Sequence, residues 1–378
     1  MHPYKIALVC DWFLPQIGGI ELHLNNLAQE LKAEGHEVHL FTTLPGPAWV
    51  NGIPVYRLPA FLLPGWNILL NQGPFKVLKQ ELKKGHFDVL HAHSGVVSPL
   101  AYGSIALAHQ LELPCVLTNH SLLQTTPFFF RMAHFFSRWR NWPVILTSVS
   151  LAAAKGLRRA SKRKQIPILP NGIHPENWNT EMIPKKEMRI TSVMRLTRKK
   201  RPLQLIQMIA EVLKYLPKEC PLKLSIIGDG PYRKRLEKKI RLLKIEKQVE
   251  LLGYQPHAEI KKIFANSDFF VLPGKKESFG IVLLEARCAG LPVVAMNQGG
   301  VREIIRHGEQ GFLANSSKEF VNYILKLVSD REMRLKMRRN SKKEIEQFSW
   351  PKIIAKHREV YQLAIEQAQK FYATRRFP

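Results

Sequence analysis

The chain has 378 residues, 45% of them hydrophobic and 23% charged, which excludes global disorder and exceeds one ordinary domain. It carries 57 Lys and Arg against 30 Asp and Glu, a formal net charge of +27, so an anionic partner is expected: phosphorylated substrates, an anionic membrane or nucleic acid. Cys10, Cys115, Cys220 and Cys288 show no short spacing, which excludes a disulfide scaffold and a cysteine-based zinc module and suits a reducing cytoplasm.

The first apolar run, Ile6 to Cys10, ends at Asp11 and is too short for a secretory leader. It reads as a buried strand, Lys5–Cys10, with the chain expected to start at or near Met1. The spacing of Ile20, Leu24, Leu27, Ala28 and Leu31 predicts a helix that Gly35 stops. Strands follow at Glu37–Thr42, Val89–His91, Cys115–Thr118, Ile145–Val149 and Ile166–Leu169. The uncharged stretches Leu58–Phe75 and Val89–Leu111 are interrupted by Pro, Gly, Ser or His, so no transmembrane helix is predicted. A polar linker, Asn177–Lys186, opens a second series of strands: Arg189–Met194, Lys223–Ile227, Val249–Leu252, Phe269–Leu272 and Val293–Ala295. Helices Pro202–Tyr215, Tyr232–Leu243, Ile260–Ala265 and Phe279–Ala289 alternate with them, and a helical tail runs from about Lys318. Alternation of this kind predicts an α/β chain of two doubly wound, Rossmann-like domains facing a central cleft.

Several segments lie where strands hand over to helices. Gly18 and Gly19 join the first strand to the first helix, where free amides suit a phosphate. Arg195, Arg198, Lys199, Lys200 and Arg201 leave the first strand of the second domain; Arg offers a planar fork for phosphate and Lys a point charge. Glu277 and Glu285 flank seven residues, with Ser278 as the expected N-cap. On a continuous helix they would lie about 12 Å apart along the axis. That exceeds a hydrolytic carboxylate pair and suits two ends of an extended ligand. His91, His93 and His120 end two neighbouring strands. His-x-His could ligate a metal, but with no evident third ligand a polar cluster touching substrate is expected instead. Gly228-Asp-Gly230 follows a strand without the full dinucleotide fingerprint, and the sequence has no Asp-x-Asp for a divalent ion.

Together the segments Gly18-Gly-Ile-Glu21, Asp88-Val-Leu-His-Ala-His-Ser94, Pro170-Asn-Gly-Ile173, Arg195-Leu-x-x-x-Lys200, Ile227-Gly-Asp-Gly-Pro231, Glu277-x-Phe-Gly-x-x-Leu-Leu-Glu285 and Ala289-Gly-Leu-Pro-Val293 resemble retaining glycosyltransferases of the GT-B fold, family 4. Within that family, Asp11–Glu21 and Thr118–Leu122 look most like lipid glycosyltransferases such as the catalytic subunit that begins GPI-anchor synthesis. The resemblance implies an acceptor-side domain over 1–180, a donor domain over 181–349 and a last helix, 350–378, returning to the first domain, with hinges near Asn177–Lys186 and Trp350. It implies that Gly18 and Gly19 approach the donor phosphates through backbone amides, that the amides after Phe279 and Gly280 lie near sugar or phosphate, and that Gly228, Ser278 and Ile281 also bind the donor. Arg195 and Lys200 would neutralise the leaving diphosphate. Glu285 would accept from ribose hydroxyls, Glu277 from the transferred sugar, and His120 would contact the sugar at the reacting centre. No cofactor or metal is implied, the donor being a nucleoside-diphosphate sugar. The family usually has Gly where this chain has Met194, which would alter donor fit if that position needs positive φ or a close approach.

The segment Pro127–Trp142 interleaves aromatics with Arg131, Arg138 and Arg140, and Lys155, Arg158, Arg159, Lys162, Arg163 and Lys164 crowd ten residues. Aromatic plus basic suits acceptor contact or a peripheral site on the cytoplasmic face of an anionic membrane. Nucleic acid could use the same residue types, but the sequence shows no nucleic-acid module, and none is expected as a partner. The competing readings are a nucleotide-sugar epimerase or hydrolase of related fold, and a non-catalytic basic membrane-binding protein.

Overall fold

The structure is a computed structural model that describes residues 3–16, 18–63, 68–69, 71–123, 139–181, 183, 187–217 and 221–376. The chain forms two compact units. One contains Met1–Gly172 and Trp350–Pro378, the other Ile173–Ser349.

The first unit is built on β1 (Lys5–Cys10), β2 (Glu37–Thr42), β3 (Trp49–Val50), β4 (Ile53–Arg57), β7 (Val89–Ser94), β8 (Cys115–Asn119) and β9 (Val144–Ser148), after a separate short pair β5 (Leu62–Leu63) and β6 (Ile68–Leu69). Its sheet order is β3-β4-β2-β1-β7-β8-β9, parallel except for the β3–β4 hairpin. Both faces are covered, so strands such as β1 are apolar and buried in every residue after the first, here Ile6 to Cys10. Leu8, Cys10 and Val116 pack on one side with Trp350, Ile353 and Tyr361 of the last helix, Trp350–Arg376. Ala7, Val9, Leu90 and Ala92 pack on the other with Leu100 and Ala101. Because side chains alternate, His91 and His93 share the face beneath the last helix.

The second unit has β10 (Met188–Val193), β11 (Leu222–Ile227), β12 (Val249–Gly253), β13 (Phe269–Leu272), β14 (Val293–Met296) and β15 (Gly311–Ala314). All are parallel in the order β12-β11-β10-β13-β14-β15, over a core that includes Ile190, Leu205, Leu224, Phe269 and Phe320.

Three expectations change. Ile166–Leu169 makes one isolated bridge, Ile168 to Ser148, instead of a strand, because Pro167 and Pro170 remove backbone donors on either side. The helix expected from Phe279 begins at Ile281. The passage between units falls at Gly172–Ile173, ahead of the polar linker. Among the described residues, no helix is long and apolar enough to cross a membrane.

Candidate active site at the strand ends

In open parallel sheets, ligands bind beyond the carboxyl ends of strands where the strand order reverses. In the second unit that point lies between β10 and β13. The loop after β10 holds Met194 to Arg201 and the loop after β13 holds Pro273 to Gly280. They meet in one ion pair: Lys200 Nζ donates to Glu277 Oε2 at 2.5 Å. Both side chains are partly exposed, Lys200 at 27% and Glu277 at 12%, so a ligand can reach the pair. Arg195 stands exposed on the same loop as Lys200.

The local sequence explains the rigidity of these loops. Met194 N donates to Ile227 O at 2.9 Å, Leu196 N to Asp229 O at 2.9 Å and Tyr232 N to Leu196 O at 3.0 Å. These bonds tie the Arg195 loop to the Gly228-Asp-Gly230 turn. At Gly228, φ is +122° and a Cβ would overlap the Met194 carbonyl, so the close approach is made from the glycine side. Met194 itself has no positive φ, and its side chain is buried in the core. The backbone of this loop therefore does not need the conformational freedom of glycine at Met194.

Ser278 does not cap the following helix. Gly280, at φ +98°, is the N-cap residue of Ile281–Cys288 and turns the chain into it. Phe279 anchors this corner edge-on against Phe348, ring centroids 5.9 Å apart. Gly300 N donates to Glu277 O at 2.9 Å, and Gly299 leaves no room for a side chain against the same carbonyl. Gly299 and Gly300 thus hold Glu277 in place. Neither glycine was among the expected site residues, although a second Gly-Gly shortly beyond the end of β14 was the available signal. Glu285 sits inside the helix, 8% exposed, and burial raises its carboxyl pKa to about 8.

In the first unit the strand order reverses between β1 and β7. Asp11, at the end of β1, accepts from Leu100 N at 2.8 Å and Ala101 N at 3.1 Å, capping the helix Pro99–Gln110. Burial raises its pKa to about 6, although those bonds pull it down. Gly18 is the N-cap of the helix Gly19–Ala33, with the Glu21 carboxylate folded against it, while Gly19 is exposed to open space. The carboxylate occupies part of the ground expected for phosphate, leaving Gly19 as the accessible backbone.

His120 follows β8 and its N donates to Ser94 O at 2.8 Å, extending the ladder. Its ring lies 3.0 Å, nitrogen to nitrogen, from His93. Burial lowers the His120 pKa to about 3, so the ring is neutral. His91 is excluded from that pair, because Tyr361 Oη at 2.9 Å and Thr118 Oγ1 at 2.7 Å occupy both its nitrogens. The partner missing from the sequence reading is His23, whose ring centroid lies 5.3 Å from that of His120. It sits on the buried stripe of the first helix, where a histidine among Leu24, Leu27 and Leu31 was the visible sign.

The basic candidates divide. Arg131 and Arg138 lie outside the described residues. Arg140 is committed to structure: Nε and Nη2 donate to Ala160 O at 3.0 and 2.6 Å, satisfying the end of the helix Leu151–Ser161. Arg158 is half-buried and Arg159 exposed.

Residues 175–344 match the family model for glycosyl transferases group 1, and residues 17–177 that for glycosyltransferase family 4. The chain is 28% identical over 395 residues to an uncharacterized glycosyltransferase of Methanocaldococcus jannaschii, across 96% of this chain and 99% of that one. It is 25% identical over 326 residues to the GPI3 subunit of the phosphatidylinositol N-acetylglucosaminyltransferase of Saccharomyces cerevisiae, across 80% of this chain and 70% of that one. The fold matches HepE of Anabaena, solved in complex with UDP and glucose, at a TM-score of 0.78 and 21% identity over 95% of this chain and 99% of that one. Together the two family models span residues 17–344, and the chain belongs to the group 1, family 4 glycosyltransferases of GT-B fold, enzymes that transfer a sugar from a nucleotide-sugar donor.

Proposed function

We propose that this glycosyltransferase moves a hexosyl or N-acetylglucosaminyl group, with retained configuration and without a metal ion at the leaving group, to a lipid or glycan acceptor at an anionic membrane surface. The observation that carries the donor side is the Lys200–Glu277 pair at the β10/β13 switch point, with Arg195 on the same loop. One loop supplies fixed positive charge for a diphosphate, the other a carboxylate for sugar hydroxyls. In the reaction the bond from the sugar's anomeric carbon to the phosphate oxygen breaks, and its electron pair leaves with the diphosphate. The acceptor hydroxyl attacks from that same face and passes its proton to the departing phosphate oxygen. Cations already in place meet the developing charge and lower the barrier without reorganisation. Glu285 accepts from ribose hydroxyls, and His120 contacts the transferred sugar.

On the acceptor side, Leu151, Lys155, Arg159 and Lys162 are all exposed and recur at helical spacing along and just beyond Leu151–Ser161. An apolar residue leading a cationic stripe suits the rim of an anionic bilayer. The name of the yeast relative supports a lipid acceptor. Flotation with liposomes tests this directly. Binding to anionic but not zwitterionic vesicles at low salt is expected, weakened when Lys155, Arg159 and Lys162 are replaced by Gln. No binding to anionic vesicles removes the membrane surface from the proposal.

A further inference from the structure

One buried cluster has a chemistry that sugar transfer does not use. His23 from the first helix, His93 from β7 and His120 beyond β8 each bring a ring nitrogen to within 4.8 Å of the others. All three are buried, at 2%, 0% and 6% exposure. The His93–His120 hydrogen bond accounts for one nitrogen of each. Two more, Nδ1 of His23 and Nε2 of His93, are buried with no partner among the described residues. A buried polar atom left without a partner is destabilising, so such a cluster calls for something that accepts lone pairs.

The neighbours show that the grouping is selective. His91, two residues from His93 and on the same face, has both nitrogens engaged by Tyr361 and Thr118. His357 Nδ1 is bound to Ile353 O at 2.8 Å. Among the described residues, His23 Nδ1 and His93 Nε2 are the ring nitrogens of this buried group that have no partner, and His120 is held against His93. Trp350 stacks on His23, ring centroids 5.6 Å apart, and the rings are held from that side.

Three imidazoles that each bring one ring nitrogen to within 4.8 Å of the others offer a donor set for a divalent late-transition ion, which would replace the His93–His120 hydrogen bond. Mg²⁺ and Ca²⁺ require oxygen ligands and are not served by it. Burial keeps all three rings neutral, the form that ligates. We propose that His23, His93 and His120 form a site for a Zn²⁺-class cation, and that its occupancy inhibits sugar transfer by withdrawing His120 from the substrate. The binding half stands on the cluster alone. The inhibitory half rests on the role given to His120 above. Such an ion is distinct from any metal at the diphosphate, where Arg195 and Lys200 supply the charge.

The test begins with the chelator-stripped full chain, titrated with Zn²⁺ by calorimetry and with Co²⁺ by visible absorption, and with Mg²⁺ as control. One equivalent of Zn²⁺ should bind, Co²⁺ should develop the intense ligand-field bands of a low-coordinate nitrogen site, and Mg²⁺ should not bind. Loss of an outer-shell partner alone weakens a metal site about 10–100-fold, so His23→Gln and His93→Gln should each weaken binding by at least that much. Circular dichroism verifies that each variant is folded. If neither variant folds, the wild-type titration decides by itself. Absence of saturable Zn²⁺ uptake, or equal uptake in wild type and folded His23→Gln, overturns the site. A donor-transfer assay then reads the second half: one equivalent of Zn²⁺ should suppress wild-type turnover, with inhibition lost in His23→Gln. Stoichiometric binding with undiminished transfer overturns the inhibitory role and leaves the site. Absence of transfer from the metal-free wild type overturns the functional reading, while the binding result stands separately.

Discussion

Lys200 and Glu277, 77 positions apart in the chain, form an ion pair of 2.5 Å where the strand order of the second sheet reverses. Each neutralises the other before a donor arrives. In the proposed roles, a diphosphate draws on the ammonium and a sugar hydroxyl on the carboxylate, so donor binding would exchange one internal pair for two intermolecular contacts.

This exchange predicts unequal effects from the two partners. Lys200→Ala removes a cation that meets charge in the transition state, and kcat should fall about 100- to 1000-fold. Glu277→Gln removes the charged acceptor proposed for the sugar hydroxyls, a bond worth about 1.5–3 kcal/mol, and should lower kcat/KM about 10- to 100-fold. A partly exposed pair contributes only about 0–1 kcal/mol to stability, so both variants should melt near the wild type. Steady-state kinetics beside thermal melts separate the two readouts.

Glu285 makes stability depend on pH. Its carboxyl titrates near 8 in the fold against 4.5 ordinarily, so the folded chain keeps a proton that the unfolded chain has released. Stability from this group is full below about 4.5, declines as pH rises and is lost above 8. Glu285→Gln removes the dependence. The variant should melt several degrees above wild type at pH 8.5 and close to it at pH 5, while losing affinity for the donor. An unchanged difference in Tm between those pH values contradicts the assignment.

The alternating apolar runs made most of both sheets legible in the sequence: Lys5–Cys10, Glu37–Thr42 and Phe269–Leu272 have the bounds they were given. Short elements escaped. β15 is four residues between a glycine and an alanine, and the β3–β4 hairpin has strands of two and five residues. Ile166–Leu169 looked like a strand because apolar content was weighed above Pro167 and Pro170. At the site, residue types could be read from strand ends, but pairings could not. Nothing local in Arg195–Lys200 says that Lys200 reaches Glu277. His23 was hidden because it belongs to a helix whose apolar spacing already explained it.

Gly280 holds φ +98° at the corner between Glu277 and the helix that carries Glu285. An L-residue there costs about 1–2 kcal/mol, and a Cβ would also press on Leu283 and Glu277 at 3.0 and 3.2 Å. Gly280→Ala should lower Tm and raise the donor KM together. A variant with wild-type donor affinity would show that the corner does not position the carboxylates.

Tyr361, from the last helix, closes the hydrogen bonding of His91. Tyr361→Phe leaves a buried ring nitrogen unpaired and should cost about 1–3 kcal/mol, read as a lower midpoint in urea with an unchanged m-value. An unshifted midpoint would mean that water replaces the hydroxyl.

The most direct measurement is transfer from a nucleotide-sugar donor in excess EDTA, comparing wild type with Lys200→Ala. Undiminished wild-type turnover, with kcat reduced about 100- to 1000-fold in the variant, is the predicted result. Wild-type activity that vanishes in EDTA and returns with Mg²⁺, or an unimpaired Lys200→Ala, contradicts the assignment of the leaving diphosphate to fixed protein charge.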